Sequence, residues 1–260
     1  MRPVPGWLLN LPIAHRGLHD VSRGIPENSL PAFWAAARAG YPLELDVRLL
    51  RDGEVVVLHD RDLDRVTHAH GPVSALTSAE LRRVSLAGVV SGGGDPRPED
   101  ARVPLLRDVL DLIAGSTPLL IEIKNEGDAG DIEPAVAAVL DGYAGPFAVQ
   151  SFHPGTVAWW RDHEPAVTRG LLAGDFRHEQ IDEAMRRRLQ NLDLVGACAP
   201  DFIGYDIRLL PCDPVRRERA AGRPVIGWTA RSLEDARRAR EHCDNVIFEG
   251  FDAASLRGAS

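Results

Sequence analysis

Apolar runs of five to seven residues recur along the chain, and most are followed by a longer stretch with helical spacing. The runs are LPIAH (11–15), PLELDV (42–47), PLLIEIK (118–124), FAVQSF (147–152), AVTRGLL (166–172), DFIGYDI (201–207), PVIGWTA (224–230) and NVIFEG (245–250). Short, nearly continuous apolar segments rich in β-branched residues read as buried parallel strands. Helical patterns fill most of the gaps. NSLPAFWAAARAG opens at Asn28 or Ser29 and closes at Gly40, and others cover about 104–115, 131–141, 154–163, 178–190, 211–221 and 231–242. Eight strands alternating with helices predict an α/β chain built as one (β/α)8 TIM-barrel domain over 1–260, a length that matches the roughly 250 residues typical of that fold.

The polar positions within the runs are not random. They fall at the C-terminal ends: His15, Glu44 and Asp46, Glu122 and Lys124, Gln150, Asp206, Trp228, Glu249. Barrel enzymes build their sites at that rim, so residues from distant segments converge there. A long excursion, 48–103, leaves and returns on this rim. It begins with a hairpin, ELDVRLLRDGEVVVLHD (44–60), whose Asp52-Gly53 pair predicts a two-residue turn. That turn would place Asp46 opposite His59, and a one-residue slip would place Glu44 there. A short helix near Ser78–Val84 with a capping-box pattern and a loop, SGGGDPRPED, complete the excursion, which is assigned to substrate recognition or a lid.

Composition narrows the class. An apolar fraction of 44% supports a large core, and a net charge of -8 argues against nucleic acid or an anionic membrane surface as partner. The three cysteines, Cys198, Cys212 and Cys243, show no CxxC spacing, which points to a reducing, cytoplasmic setting without a thiolate metal site. MRPVPGWLLNLPIAHRG lacks the long apolar core of a secretory leader, and no run approaches the ~20 residues that a bilayer requires. Lys124 is the only lysine among thirty basic residues, which marks it for a role that arginine does not fill.

Glu44, Asp46 and Glu122 form an all-oxygen set suited to a hard divalent cation, Mg²⁺ or Ca²⁺ with Mn²⁺ as a third choice. Two close carboxylates on a well-covered ribbon need a cation in any case. Lys124 shares the Glu122 face and either neutralises it or reaches a phosphate. Arg16 offers a fork for phosphate oxygens. His15 and His59, both on the rim, suit a pair in which one takes a proton and the other gives one. His68 and His70, by contrast, read as solvated loop residues.

The segments IAHRG, PENSLPAFWAAARAGYPLELDVRLLRDGEVVVLHDRDLDRVT, IEIK, QSFHP and GWTA, in this order, resemble the glycerophosphodiester phosphodiesterase family, most closely its short bacterial cytoplasmic members. The resemblance implies a metal-dependent phosphodiesterase of the same barrel fold that converts glycerophosphodiesters, its small-molecule substrates, to sn-glycerol 3-phosphate and an alcohol. It implies His15 and His59 as the acid/base pair, Glu44, Asp46 and Glu122 as metal ligands, Arg16 and Lys124 as phosphate contacts, and Trp228 as the wall on the alcohol side. Near the last strand IFEGFD replaces the family's usual ITDYP-like ending, and RVTHAHG replaces a Thr- and Asn-rich stretch after the hairpin. Both departures bear on the head group rather than the reaction. A lysophospholipase D or sphingomyelinase D-like activity is the alternative within the same chemistry and would require an apolar groove. A barrel that keeps its metal only for binding, or a sugar isomerase-like barrel, ranks lower because the HRG and LHD histidines are both present.

Overall fold

The computed structural model describes residues 2–88, 102–126, 129–177 and 181–256. Its strands are β1 (Ile13–Ala14), β2 (Leu43–Leu49), β3 (Val55–Val57), β4 (Leu119–Ile123), β5 (Phe147–Ser151), β6 (Thr168–Ala173), β7 (Phe202–Asp206), β8 (Val225–Ala230) and β9 (Asn245–Phe248). The helices are α1 (Trp7–Asn10), α2 (Leu30–Arg38), α3 (Ser78–Leu81), α4 (Leu106–Ile113), α5 (Ile132–Leu140), α6 (Pro154–His163), α7 (Glu183–Gln190), α8 (Val195–Cys198), α9 (Asp213–Ala220) and α10 (Leu233–Arg240). Strand order is β1-β9-β8-β7-β6-β5-β4-β2-β3, and β1 pairs with β2 as well. This is the ring order of a (β/α)8 barrel, with β3 as the antiparallel return arm of the predicted hairpin. The eight apolar runs therefore all become strands. The single-turn helices α1 and α8 are too short to leave a periodic signal.

The described chain falls into two compact units, Met1–Ile13 with Ala148–Ser260, and Ala14–Phe147. In the first, a buried cluster gathers Leu171, Ile203, Tyr205, Val225 and Cys243 with side chains of the flanking helices. Cys198, Cys212 and Cys243 are all free thiols. In the second, the excursion has a hydrophobic core of its own: Leu50, Val56, Leu58, Leu63, Val66, Val73 and Leu81 are buried together. This segment is thus a packed platform as far as residue 88. The SGGGDPRPED loop lies outside the described residues.

The hairpin register differs from the one that Asp52-Gly53 predicts. Val47 faces Val57 and Leu49 faces Val55, and the ladder ends with the Leu50 amide donating to Glu54 O at 2.9 Å. The loop is therefore Arg51-Asp52-Gly53, three residues, closed by Gly53 at φ 82. Three-residue hairpins with a left-handed glycine are the common alternative to two-residue turns. Asp46 consequently lies opposite Leu58, not His59, and accepts the Leu58 amide at its carbonyl at 3.0 Å. The chain leaves the strand there, so His59 is placed by contacts beyond the ladder. The Asp52 carboxylate also accepts from the Ser78 amide and hydroxyl, both at 2.8 Å, which pins the turn to α3. The capping box of α3 forms as predicted, with Thr77 as cap and Glu80 returning the bond.

At the end of β1 the backbone is contorted. Arg16 has φ 53 and Gly17 has φ 78, and the Gly17 amide donates to Glu44 O at 3.2 Å. A Cβ at Gly17 would sit 2.8 Å from the backbone carbon of Ala32 on α2. Glycine is therefore required twice over, for the left-handed φ and for the close approach of the helix. We expect Gly17→Ala to lose at least ~2 kcal/mol of stability in urea unfolding, from a conformational cost of roughly 1–2 kcal/mol and an overpacking cost of about 1–3 kcal/mol. An unchanged midpoint would show that the turn relaxes freely.

Candidate active site

Parallel pairing of β2 with β4 sets Asp46 beside Glu122 and Glu44 beside Leu120. Side chains two residues apart on a strand share a face, so Glu44, Asp46 and Glu122 project together. One carboxylate oxygen from each lies within 4.8 Å of the others, and all three residues are buried. Such crowding has a cost. Burial, reinforced by the charges of Asp46 and Glu122, pushes the Glu44 carboxyl well above its usual range. Glu122 is raised by burial and by Asp46, with Lys124 opposing. For Asp46, burial acts against ionisation, but Lys124, His59, Arg16 and His15 together hold it below the ordinary carboxylate range.

Three cationic or polar groups partly compensate this charge. Lys124 Nζ lies 2.5 Å from Glu122 Oε1 and 3.1 Å from Asp46 Oδ1. Arg16 donates its backbone amide to Glu44 Oε2 at 3.0 Å and sets its Nε 3.4 Å from Asp46 Oδ2. Asn28, itself left-handed at φ 51, donates its side-chain amide to Asp46 Oδ2 at 2.9 Å. Glu44 Oε1 is buried and has no hydrogen-bond partner among the described residues. An orphaned anionic oxygen in an all-oxygen cluster is a site that a hard divalent cation fits, since it supplies charge and a ligand position without hydrogen-bond geometry. Glu44, Asp46 and Glu122 are the residues that could hold it.

His59 approaches the same carboxylates from the platform. Burial, with Lys124 and Arg16 adding to it, lowers its pKa to about 4 despite the opposing pull of Asp46 and Asp60. Its carbonyl accepts two bonds from Arg48, Nε at 2.9 Å and an Nη at 2.7 Å. Its Nδ1 lies 2.6 Å from Asp60 Oδ1. His15, half-buried at the end of β1, is close enough to Asp46 to act on its charge.

His15, Arg16, Glu44, Asp46, His59, Glu122 and Lys124 thus gather within the Ala14–Phe147 unit. Trp228 belongs to the other unit, where its ring meets Phe152 edge-on with centroids 5.4 Å apart and packs tightly on Gly174, a Cβ there falling 3.0 Å from the indole. Glu249, in that unit too, pairs with Arg231 at 2.8 Å. His70 turns to Asp64 at 2.7 Å with its side chain 84% exposed, in keeping with a solvated loop. Sequence pattern does not single out Asn28 as an Asp46 partner, nor Glu27, Arg48, Asp60 and Arg65. All five adjoin the predicted site residues or lie in the same segments; Arg48 lies in β2 itself, and for the others no periodicity extends into those loops.

The fold is a (β/α)8 barrel with an acidic cluster at the ends of its strands that could hold a cation. The chain belongs to the glycerophosphoryl diester phosphodiesterase family, whose profile matches residues 15–250. It is 26% identical to glycerophosphodiester phosphodiesterase of Bacillus subtilis over 257 residues, 93% of this chain and 83% of that one. Its match with YhdW of the same organism, 34% identical over 163 residues, spans 62% of this chain and 64% of that relative, less than two thirds of its length. Among solved structures, an Oleispira antarctica phosphodiesterase in complex with the product sn-glycerol-3-phosphate shares the fold, with a TM-score of 0.76, 22% identity and 93% of both chains covered.

Lys124 carries much of the charge balance that the geometry displays. In chelated buffer we expect Lys124→Met to lower stability by about 3–5 kcal/mol, the usual consequence of stripping one partner from a buried ionic group. Millimolar Mg²⁺ or Ca²⁺ should return part of that loss in thermal unfolding. A variant as stable as the parent without added metal would mean that Lys124 neutralises nothing of consequence.

Proposed function

We propose that the protein is a metal-dependent phosphodiesterase that hydrolyses glycerophosphodiesters to sn-glycerol 3-phosphate and an alcohol. One observation carries this reading above all: two histidines, an arginine and a lysine surround the carboxylate cluster of Glu44, Asp46 and Glu122, with Asp46 at its electrostatic centre. Family membership supports it, as does the product held by the Oleispira antarctica neighbour.

In this reading Glu44, Asp46 and Glu122 hold one divalent ion, Mg²⁺ or Ca²⁺ with Mn²⁺ as the third choice. When bound, such an ion supplies Lewis-acid stabilisation of phosphoryl charge and acidifies an oxygen in contact with it. Arg16 and Lys124 draw the phosphate oxygens into place, the first as a fork and the second as a point charge. His59 presents Nε2 with its lone pair, because Nδ1 faces the Asp60 carboxylate, which in its ionised form only accepts hydrogen bonds. Nε2 takes the proton of the glycerol hydroxyl next to the phosphoester, and His15 delivers a proton to the departing alcohol oxygen. Internal attack by that hydroxyl expels the alcohol and leaves a cyclic phosphate, and water then opens the ring. The three free cysteines fit a reducing compartment, and no described helix is long and apolar enough to cross a membrane.

Glycerophosphocholine turnover, followed by release of sn-glycerol 3-phosphate, tests the reading. Activity should vanish in EDTA and return with Mg²⁺ or Ca²⁺, and faster turnover of a lysophospholipid would assign the alternative lipase-D-like activity instead. His15→Ala and His59→Ala should each lose at least roughly 100-fold in kcat, the lower range for a positioned acid or base, while metal binding persists. A substrate analogue lacking the glycerol 2-hydroxyl should bind and resist cleavage. Its rapid hydrolysis would replace internal attack with direct attack by water.

A further inference from the structure

The platform holds a charge relay that the phosphodiesterase reading does not require and that begins at its surface. Arg65 is half-exposed, with 48% of its side chain in solvent, yet each of its guanidinium nitrogens is engaged. Nε lies 2.5 Å from Asp60 Oδ2, and one Nη lies 3.0 Å from Asp60 Oδ1. The same Nη is 2.8 Å from Glu27 Oε1, and the other is 2.8 Å from Glu27 Oε2. Two bidentate forks therefore meet on one arginine, the geometry for which guanidinium is suited and ammonium is not. Each fork ends on a residue of the centre. Asp60 Oδ1 reaches His59 Nδ1 at 2.6 Å, and Glu27 Oε1 takes Arg16 Nη1 at 2.6 Å.

We infer that Arg65 is a positioning residue: it fixes Asp60 as a two-oxygen acceptor, so that the His59 ring carries its proton on Nδ1 and turns the Nε2 lone pair toward the carboxylate cluster. The inference rests on the phosphodiesterase reading for its catalytic consequence but not for its structural one. Without the fork, Asp60 sits on a solvent-accessible loop and can rotate away from the imidazole. With it, both carboxylate oxygens are held, and only one ring orientation and one tautomer satisfy the 2.6 Å contact. Asp60 and Glu27 both stay ionised in this arrangement. Burial acts against each, but Arg65, joined by His59 at Asp60 and by Arg16 at Glu27, outweighs it and brings each carboxyl down to about 2. The backbone of His59 needs no help from Arg65, because Arg48 grips its carbonyl separately. What Arg65 controls is the ring.

Other groups near the relay do not substitute for it. Arg61 pairs with Glu126 at 3.3 Å, and Glu126 also takes Arg48 at 2.6 Å, so that cation is directed to the other side of the segment. Among the described residues, Arg65 is the arginine that holds Asp60, and no other arginine or lysine pairs with that carboxylate.

Two measurements on the full-length protein test the inference. Long-range ¹H–¹⁵N correlation of histidine-labelled protein reads the tautomer directly, with the His59 signal identified by its loss in His59→Ala. The parent should show Nδ1–H at His59, and Arg65→Ala should show a mixture of tautomers. In kinetics, Arg65→Ala should lose roughly 10–100-fold in kcat, the range for a group that orients another. Added guanidinium ion at millimolar concentration should recover part of it, whereas the parent gains nothing. Asp60→Asn provides a second variant and should also disturb the tautomer. An Nε2–H tautomer in the parent, or an Arg65→Ala protein that keeps both its kcat and a pure Nδ1–H signal, would overturn the inference. If the parent hydrolyses no glycerophosphodiester, the proposed function falls, and the tautomer measurement alone decides the role of Arg65.

Discussion

Three carboxylates that meet within 4.8 Å in a buried position impose the condition around which this site is organised. Charges of one sign at that distance and depth repel each other strongly, and burial removes the water that would screen them. Either protons or cations must enter. The structure supplies two cations and two neutral donors: a lysine between Glu122 and Asp46, an arginine side chain on Asp46, and the Arg16 backbone amide on Glu44 with the Asn28 side-chain amide on Asp46. Even so, one Glu44 oxygen has no hydrogen-bond partner among the described residues. The arrangement is one of partial compensation, and its three carboxylates could hold a divalent ion.

Much of the local backbone follows from that condition. For Arg16 to offer its amide to Glu44 and its guanidinium to Asp46, the chain after β1 must reverse within two residues. It does so through left-handed Arg16 and Gly17 and a close pass against α2. Asn28 takes the same unusual backbone just before α2, where its amide donates to Arg16 O at 3.0 Å and its side chain reaches Asp46. Arg16 and Asn28, two of the six non-glycine residues at positive φ among the described residues, thus adjoin the acidic cluster, where contacts offset their backbone strain. A second layer, Glu27, Asp60, Arg65 and Arg48, then orients the groups that face the cluster.

How much of this is legible in the sequence depends on what kind of order holds each residue. Parallel strands buried on both faces appear as apolar runs, and a polar residue at the C-terminal end of such a run marks the rim, so Glu44, Asp46, Glu122 and Lys124 group together from pattern alone. Asp52-Gly53 indicates a turn but not its length: a two-residue and a three-residue loop both accept glycine at the left-handed position, and only the ladder distinguishes them. The expectation of His59 across from Asp46 therefore rests on a register that does not hold, and His59 reaches the cluster because Arg48 and Asp60 fix it after the strand ends. Asn28 reads as a candidate helix cap, a role that Ser29 takes. The pairing of Arg65 with Glu27 joins residues 38 apart through two irregular segments, and no spacing rule connects them. The strand pattern places Trp228 at the rim, its role as a wall follows from the resemblance, and it belongs to a different compact unit from the carboxylates.

The central claim is that the acidic cluster is a cation site and not merely a neutralised structural knot. Calorimetric titration of chelator-stripped protein with Mg²⁺ and with Ca²⁺ tests it most directly, with Glu44→Gln titrated alongside. Saturable binding of a single ion to the parent, abolished or greatly weakened by that substitution, is the predicted result. An absence of binding heat in the parent, or equal affinity in the variant, would contradict it and leave Lys124, Arg16 and Asn28 as the cluster's full complement.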